Sequence, residues 1–229
     1  MRSTSFAGDL VLSHLFTLLG DVDGQHICDL ACGQGRLARA LAQRGAHVVG
    51  VDISSELIAI AQRDEAADPI GITYLVDNAE TLTSLGDHQF DGAVCNLALM
   101  DITDLTALYQ AVWNILRPAG WFLFSITHPC FESPHAQWNT ASDGTISRET
   151  LTYFVEGFWR SSYAQGVRGQ VGAYHRMLST YLNTLSQVGF VLDRISEPQA
   201  TDMDVVAVPG YRVVPAFMLV RCIKPQSGS

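Results

Sequence analysis

Positive charge is scarce in this sequence. Its 229 residues include 14 basic side chains against 23 acidic ones, which gives a formal net charge of −9, and Lys224 is the single lysine. A protein that binds nucleic acid through the phosphate backbone needs clustered cations to displace counterions. The sequence has no such cluster. The composition therefore argues against a nucleic-acid partner.

Long hydrophobic runs and closely spaced cysteines are also missing. The longest apolar stretches, at 92–100 and 213–220, fall well short of the roughly 20 residues that a membrane-spanning helix requires. The start, MRSTSFAGDL, lacks the continuous apolar core of a signal peptide. No cysteine pair has the two-residue spacing of a zinc or redox site, and no spacing of His, Asp and Glu indicates a metal. We expect a cytoplasmic protein with reduced thiols, no membrane segment and no bound metal.

The first half of the chain alternates short apolar strands with amphipathic helices. Strands are predicted at 26–30, 48–51, 72–76, 90–96 and 121–127, with helices at 36–44, 56–65 and 104–116 between them. Strands and helices that alternate at this interval predict an α/β fold, in which a parallel sheet carries helices on both faces. The length and the 48% hydrophobic content suit one domain over 1–229.

This alternation breaks after Thr127. Residues 128–173 carry aromatic side chains among Gly, Ser and Thr without clear periodicity, which is typical of a binding loop or lid. A helix is predicted at 174–188, followed by strands at 190–195 and 214–223. We therefore interpret 128–173 as a substrate lid inserted after the fifth strand.

The stretch ICDLACGQGRLA, at 27–38, organises the rest of the sequence. A strand ends at Asp29, Gly33 and Gly35 make a turn without side-chain obstruction, and a helix follows. This arrangement lets a backbone edge and a helix N-terminus face a nucleotide-like ligand. Asp52, at the end of the second strand, has the position of an acid that binds ribose hydroxyls, and Asp77-Asn78-Ala79-Glu80 can contact an adenine edge. Together these segments predict an adenosine pocket.

Five segments in order resemble the motifs of the class I S-adenosylmethionine-dependent methyltransferases: DLACGQG, VVGVDIS, YLVDNAETL, FDGAVCNLALMDI and LRPAGWFLFSI. The resemblance covers 27–126 and implies a Rossmann-like, mostly parallel seven-stranded sheet whose last strand is antiparallel. It also implies S-adenosylmethionine as cofactor and a set of cofactor-binding residues, Asp29, Ala31, Cys32, Gly33, Gly35, Asp52, Ile53, Asp77, Asn78, Ala79, Asn96 and Leu97.

Within that set, the loop residues would face the methionine part, Asp52 the ribose and Ile53 the adenine, while Asn96 and Leu97 would line the sulfonium side. The family commonly has an acid where Asn78 stands, so either Asp77 or the Asn78 amide is expected to contact the adenine amine.

Two other functions fit the same loop. An NAD(P)-dependent oxidoreductase is one, because Ala38 occupies the third position of the dinucleotide fingerprint. A catalytically inert cofactor-binding module of the same fold is the other. We favour a methyltransferase that acts on a small-molecule acceptor by O- or N-methylation, because all five motifs occur in register, an aromatic insertion follows them and the chain has no basic cluster.

Candidate catalytic residues lie near the lid. A base is needed only where the acceptor must lose a proton, and His128 and His175 are the candidates. Four residues are candidate substrate contacts, Phe131, Tyr153, Trp159 and Arg176, the last as a clamp for an anionic group. The alternatives are that His128 holds its loop, that His175 and Arg176 anchor the insertion, and that the aromatic residues form a small core.

Overall fold

The computed structural model describes residues 6–86, 89–162, 167–200 and 209–226. Its helices are α1 Phe6–Leu19, α2 Arg36–Ala42, α3 Ser55–Ala67, α4 Leu105–Ile115, α5 Val167–Gln170 and α6 Leu178–Val188. Its strands are β1 His26–Leu30, β2 His47–Asp52, β3 Thr73–Val76, β4 Phe90–Asn96, β5 Leu116–Thr127, β6 Gln137–Thr140, β7 Ile146–Glu149, β8 Gly157–Trp159, β9 Ala173–His175, β10 Val191–Ser196 and β11 Phe217–Ile223.

Seven of these strands form one sheet in the order β10-β11-β5-β4-β1-β2-β3. Strands β1 to β5 pair in parallel, and β11 runs antiparallel to both of its neighbours, β5 and β10. The predicted mostly parallel sheet with an antiparallel last strand is therefore confirmed. All five parallel strands end at the same edge, and the segments that follow them meet there.

Apolar residues on the two sides of each strand build two cores, one on each face of the sheet. In β5, Phe122 and Phe124 pack on one face with Tyr109 of α4, whereas Leu123 packs on the other face with Leu41 of α2. This alternation follows from the two-residue period of a strand. It places α4 and α6 on one face and α1, α2 and α3 on the other.

Side-chain caps mark where two helices begin. The Ser54 hydroxyl accepts the Leu57 N–H at 3.3 Å at the start of α3, and the Asp104 carboxylate accepts the Ala107 N–H at 2.9 Å at the start of α4. Each cap satisfies a backbone donor that the helix itself leaves unpaired.

The insertion after β5 is more regular than the sequence predicted. It contains two antiparallel hairpins, β6-β7 and β8-β9. The expected helix start at 174 is wrong, because Ala173–His175 pairs with Gly157–Trp159 and Tyr174 packs edge-on against Phe158 at 5.4 Å. The helix begins four residues later, at Leu178. His175 and Arg176 therefore precede the helix and do not open it.

Among the described residues, no helix is long and apolar enough to cross a membrane. The same part of the chain contains no group of three or more His, Cys, Asp or Glu side chains placed to hold a metal ion. All five cysteines are free thiols, and burial raises the pKa of Cys28 and Cys95. Deep burial thus keeps those two thiols in the protonated form.

Candidate active site

The loop that links β1 to α2 is held in an unusual backbone conformation. Ala31, Gly33 and Gly35 have φ angles of 52°, 56° and 79°, in the left-handed region. Glycine adopts this region readily, whereas Ala31 does so at a cost. The Tyr74 hydroxyl donates to the Gly35 carbonyl at 3.4 Å, and its ring fills the space that a side chain at position 35 would need. Tyr74 therefore packs directly against the loop at Gly35, where only glycine leaves room for its ring.

Asp52 connects this loop to the end of β2. One carboxylate oxygen accepts the Gly33 N–H at 2.8 Å, and the other accepts the Ser54 N–H at 2.9 Å. The side chain is nearly buried beside the cavity described below. Each oxygen retains a lone pair, so the carboxylate can also accept from the hydroxyls of a bound sugar.

Asp77 organises the turn after β3. Its carboxylate accepts the Asn78 N–H at 2.7 Å and both the Ser84 N–H, at 2.8 Å, and the Ser84 hydroxyl, at 2.5 Å. The Asn78 side-chain oxygen accepts the Glu80 N–H at 2.9 Å and keeps a second lone pair that can accept from an adenine amine, while its N–H₂ can donate to a ring nitrogen. The choice between Asp77 and Asn78 as the contact to the adenine amine stays a prediction.

A cavity of about 210 Å³ lies at the ends of β1, β2 and β3. Six of the predicted cofactor residues line it, Ala31, Asp52, Ile53, Asp77, Asn78 and Ala79. Glu80, which the sequence places with Asn78 at the adenine edge, also lines it, and three residues that the sequence reasoning missed complete the lining, Asp101, Ile102 and Thr103. The Ile53 side chain is 72% exposed at the cavity, so its apolar surface is available to a flat ligand. The residues present therefore fit a nucleoside.

The remaining predicted cofactor residues lie deeper at the same edge. Leu97 follows β4 with a φ of 55°, and its N–H donates to the Ser125 carbonyl at 3.0 Å and to the Ser125 hydroxyl at 2.9 Å. That hydroxyl in turn donates to the Asn96 side-chain oxygen at 2.7 Å. The ends of β4 and β5 are thereby fixed to one another. Cys32, Gly33 and Gly35 belong to the loop itself and do not line the cavity.

Asp29 is buried below the loop. One of its oxygens, Oδ2, has no hydrogen-bond partner among the described residues, and the carboxyl also accepts from the Ala38 N–H in the first turn of α2. Burial, reinforced by the nearby charge of Asp52, raises the pKa of Asp29 to about 8, despite the opposing bond from Ala38. Asp29 thus connects the end of β1 to the first turn of α2, the two elements that the loop joins.

A second and larger cavity, of about 350 Å³, lies between the sheet edge and the insertion. Met100 and Thr127 line it at the ends of the central strands, and Trp159, Tyr174 and His175 line it from the β8-β9 hairpin. Met100 and Asp101 are neighbours in a short 3₁₀ helix, and the former faces this cavity while the latter faces the smaller one. The two cavities therefore share one wall.

His175 has the geometry of an oriented base. The side chain is 5% exposed, and Nε2 lies 2.8 Å from the Tyr153 carbonyl oxygen. A carbonyl can only accept, so Nε2 must carry the proton and Nδ1 must hold the lone pair. Nδ1 has no hydrogen-bond partner within the described part of the chain, and the residue lines the larger cavity.

His128 has a different environment, although it is also buried. Its Nδ1 accepts the Cys130 N–H at 3.3 Å, so Nε2 carries the proton and donates to Glu197 at 2.7 Å. Both ring nitrogens are occupied, and the residue lines neither cavity. These contacts favour the interpretation that His128 holds its loop. A catalytic role for it stays a prediction.

The four candidate substrate residues separate into two pairs. Trp159 and Arg176 line the larger cavity. Phe131 and Tyr153 do not line it. Phe131 packs on His128, with ring centres 4.7 Å apart, and the Tyr153 hydroxyl accepts the Leu178 N–H at 2.9 Å. Arg176 donates to the carbonyls of Leu99, Ile102 and Thr103. It therefore anchors the wall between the cavities, which supports the anchoring alternative for this residue. Tyr163, another aromatic residue of the predicted insertion, falls outside the described residues.

Sequence reasoning missed the ion pair in the wall of the larger cavity. Arg148 Nη2 lies 3.0 Å from a Glu132 oxygen, and Arg148 Nε donates to the Phe131 carbonyl at 2.7 Å. Burial raises the pKa of Glu132, although Arg148 opposes the shift. Glu132 directly follows Phe131, but Arg148 lies on β7 of a hairpin that has no clear sequence signal. Only the fold brings the two charges together.

The strand order, the antiparallel last strand and the nucleoside-sized cavity at the strand ends define a Rossmann-like methyltransferase fold. A family model described as "Methyltransferase domain" matches residues 28–124. A solved S-adenosylmethionine dependent methyltransferase from Mesorhizobium loti is 31% identical, with a TM-score of 0.79 over 96% of this chain and 100% of that one.

A Listeria monocytogenes structure assigned to the same class is 25% identical, with a TM-score of 0.79 over 95% of this chain and 99% of that one. Among curated sequences, the Ubiquinone biosynthesis O-methyltransferase of Pseudomonas fluorescens is 32% identical over 102 residues, which cover 44% of each chain. The match thus spans less than half the length of that relative. This chain belongs to the S-adenosylmethionine-dependent methyltransferases, and S-adenosylmethionine is the cofactor of its family.

Proposed function

We propose that this protein transfers a methyl group from S-adenosylmethionine to an oxygen or nitrogen atom of a small molecule held in the larger cavity. The observation that carries the proposal is the shared wall between the two cavities. Met100 faces one and Asp101 the other, so a donor in the smaller cavity and an acceptor in the larger one meet across this segment. A cavity of about 350 Å³ suits a small molecule.

The cofactor supplies an activated methyl group on a sulfonium, so the protein needs mainly to align the acceptor and exclude water. In this proposal Asp52 accepts from the ribose hydroxyls, Ile53 packs on the adenine, and the Asn78 amide contacts the adenine edge. The loop containing Cys32, Gly33 and Gly35 and the pair Asn96 and Leu97 surround the methionine part. Asp29 supports that loop from below.

His175 acts as the base where the acceptor must lose a proton. Nδ1 has the lone pair, because the Tyr153 carbonyl holds the proton on Nε2. The proton of an acceptor O–H or N–H group passes to Nδ1 as the methyl group is transferred. The segment 128–173 forms a lid that excludes water from the acceptor.

The same proposal places the protein in the cytoplasm without a nucleic-acid partner. Its five free thiols, three of them buried, suit a reducing compartment, and its net charge of −9 disfavours binding to phosphate backbones.

The cofactor assignment is tested by calorimetry with S-adenosylhomocysteine. The wild-type protein is expected to bind, and Asp52→Ala to lose binding, while Asp143→Ala on the exposed β6-β7 turn keeps it. A folded wild-type protein that does not bind at millimolar ligand, or one that binds NADH instead, would end the proposal. Turnover is tested by transfer of a labelled methyl group to a panel of small hydroxyl and amine acceptors. Binding without any transfer across the panel would favour an inert binding module.

A further inference from the structure

The larger cavity carries a charge opposite to that of the molecule as a whole. The chain has 23 acidic and 14 basic residues. Yet the described residues that line this cavity include three arginines, Arg148, Arg168 and Arg176, and one acid, Glu132. A cavity that reverses the sign of the protein's net charge favours a ligand of negative charge.

The charge of Arg176 has no acidic partner. The residue is 9% exposed, and its three hydrogen bonds go to backbone carbonyls, from Nη1 to Leu99 at 3.2 Å and from Nη2 to Ile102 at 2.6 Å and Thr103 at 2.9 Å. No carboxylate among the described residues forms an ion pair with it. Carbonyl oxygens satisfy the donors but do not neutralise the charge. A buried cation without a counterion is costly, so an anion beside it is stabilising.

The acid that lines the cavity does not offset this charge. Glu132 is already paired with Arg148 at 3.0 Å, so the two side chains largely neutralise one another. The uncompensated charge that remains at the cavity is positive.

Arg168 retains donors for a ligand. Its Nη1 is paired with Asp101 and also donates to the Gly172 carbonyl at 3.1 Å. Nε and Nη2 have no partner among the described residues. Asp101 is half exposed, so water screens this pair and leaves the guanidinium available. A planar guanidinium with free donors matches a carboxylate in shape and charge.

This inference rests on the proposed methyl transfer. We propose that the acceptor is a small molecule with a carboxylate. Arg168 binds that carboxylate, and the positive charge of Arg176 stabilises it further. Trp159 and Tyr174 give the same cavity aromatic walls, against which a flat or aliphatic body packs. The carboxylate fixes the orientation of the acceptor, and its nucleophilic atom points toward the wall that the two cavities share.

The experiment measures binding to the protein saturated with S-adenosylhomocysteine. Two sets of matched probes are titrated by calorimetry. The first is 4-hydroxybenzoate, 4-hydroxybenzamide and 4-hydroxybenzamidine, and the second is 3-hydroxybutyrate with its amide. Because size is constant within each set, charge alone differs. In at least one set the carboxylate is expected to bind ten times or more tighter than its neutral partner, and the amidine is expected to bind most weakly. No preference in either set, or no binding of any probe, would overturn the inference.

Variants of Arg168 then test whether this residue binds the carboxylate. Arg168→Gln is expected to weaken carboxylate binding tenfold or more and to leave amide binding unchanged, while Arg168→Lys restores part of the preference. Arg160→Gln, on the exposed part of the insertion, is the matched control and keeps the full preference. An Arg168→Gln protein that still prefers the carboxylate would show that Arg168 is not the contact.

The cofactor measurement separates this inference from the proposed function. If S-adenosylhomocysteine binds and neutral probes bind as well as carboxylates, the methyltransferase proposal stands and the anionic acceptor is rejected. If S-adenosylhomocysteine itself does not bind, the proposed function fails first.

Discussion

Nε2 of His175 and the carbonyl oxygen of Tyr153 lie 2.8 Å apart, and this contact determines which imidazole nitrogen can accept a proton. The carbonyl holds a proton on Nε2, so the neutral ring has its lone pair on Nδ1. We predict this tautomer in solution. Long-range ¹H–¹⁵N spectra distinguish the two forms, and His175→Gln assigns the signal. A proton on Nδ1 would remove His175 from the role of base.

The same residue is expected to affect turnover without affecting cofactor binding. Once the panel identifies an acceptor that loses a proton, His175→Gln should lower kcat by about a hundredfold or more, the usual contribution of a positioned base. The affinity for S-adenosylhomocysteine should not change, because His175 does not line the smaller cavity. Full turnover in this variant would mean that transfer proceeds by alignment of the two substrates alone.

His128 is expected to contribute to stability. It is 2% exposed, it bonds to Glu197 and to the Cys130 N–H, and it packs on Phe131. His128→Ala should therefore lower the free energy of unfolding by about 2 kcal/mol, the range for losing a buried, bonded side chain. Urea denaturation measures the loss. Glu197→Gln, which keeps an acceptor oxygen at the exposed end of this contact, should cost less. A His128→Ala protein of normal stability that cannot transfer methyl groups would restore the catalytic interpretation.

The strands and the cofactor edge were predictable because their signals are local. Continuous apolar runs mark strands that are buried on both faces, and for β1 and β4 the predicted and observed bounds agree. The carboxyl ends of parallel strands converge at one edge, so Asp52 and Asn78 could be placed near each other without a structure.

The acceptor side was not predictable in the same way. The hairpins of the insertion are held by distant partners, such as the packing of Trp138 on Tyr211 with ring centres 5.6 Å apart, and these leave no periodic pattern in the sequence. The role of His175 depends on the Tyr153 carbonyl, and the pairing of Glu132 depends on Arg148. Such contacts exist only after the chain has folded.

Removing the hydroxyl group from two buried tyrosines on one face of the sheet should change the stability of the fold in opposite directions. The Tyr109 hydroxyl has no hydrogen-bond partner among the described residues, although the side chain is fully buried. Tyr109→Phe should therefore stabilise the fold by about 1 kcal/mol, because an unpaired buried hydroxyl is costly. The Tyr181 hydroxyl interacts with the Arg176 guanidinium, which opposes the rise that burial causes in the tyrosine pKa, so Tyr181→Phe should cost about 1 kcal/mol. Urea denaturation of both variants tests the contrast, and equal effects would contradict it.

Asp29 should make the stability of the fold depend on pH. Burial raises its pKa from 3.8 to about 8, so the folded state holds a proton that the unfolded chain releases. The stability that this proton provides is complete below the ordinary pKa and declines as the pH rises toward 8. Asp29→Asn keeps the side chain neutral at every pH. The stability of Asp29→Asn relative to wild type should therefore rise by up to about 2 kcal/mol between pH 6 and 8, at about 1.4 kcal/mol per pH unit. Above pH 8 the difference should level off.

Asp143→Asn is the control for this measurement. Asp143 is exposed, and backbone hydrogen bonding from Thr145 lowers its pKa, so it stays ionised from pH 6 to 9. Its substitution should give a difference from wild type that is constant over this range. Urea denaturation at several pH values compares the two variants. A flat difference for Asp29→Asn as well would mean that the carboxylate is ionised in the fold at pH 6, and that the Ala38 N–H outweighs the cost of burial.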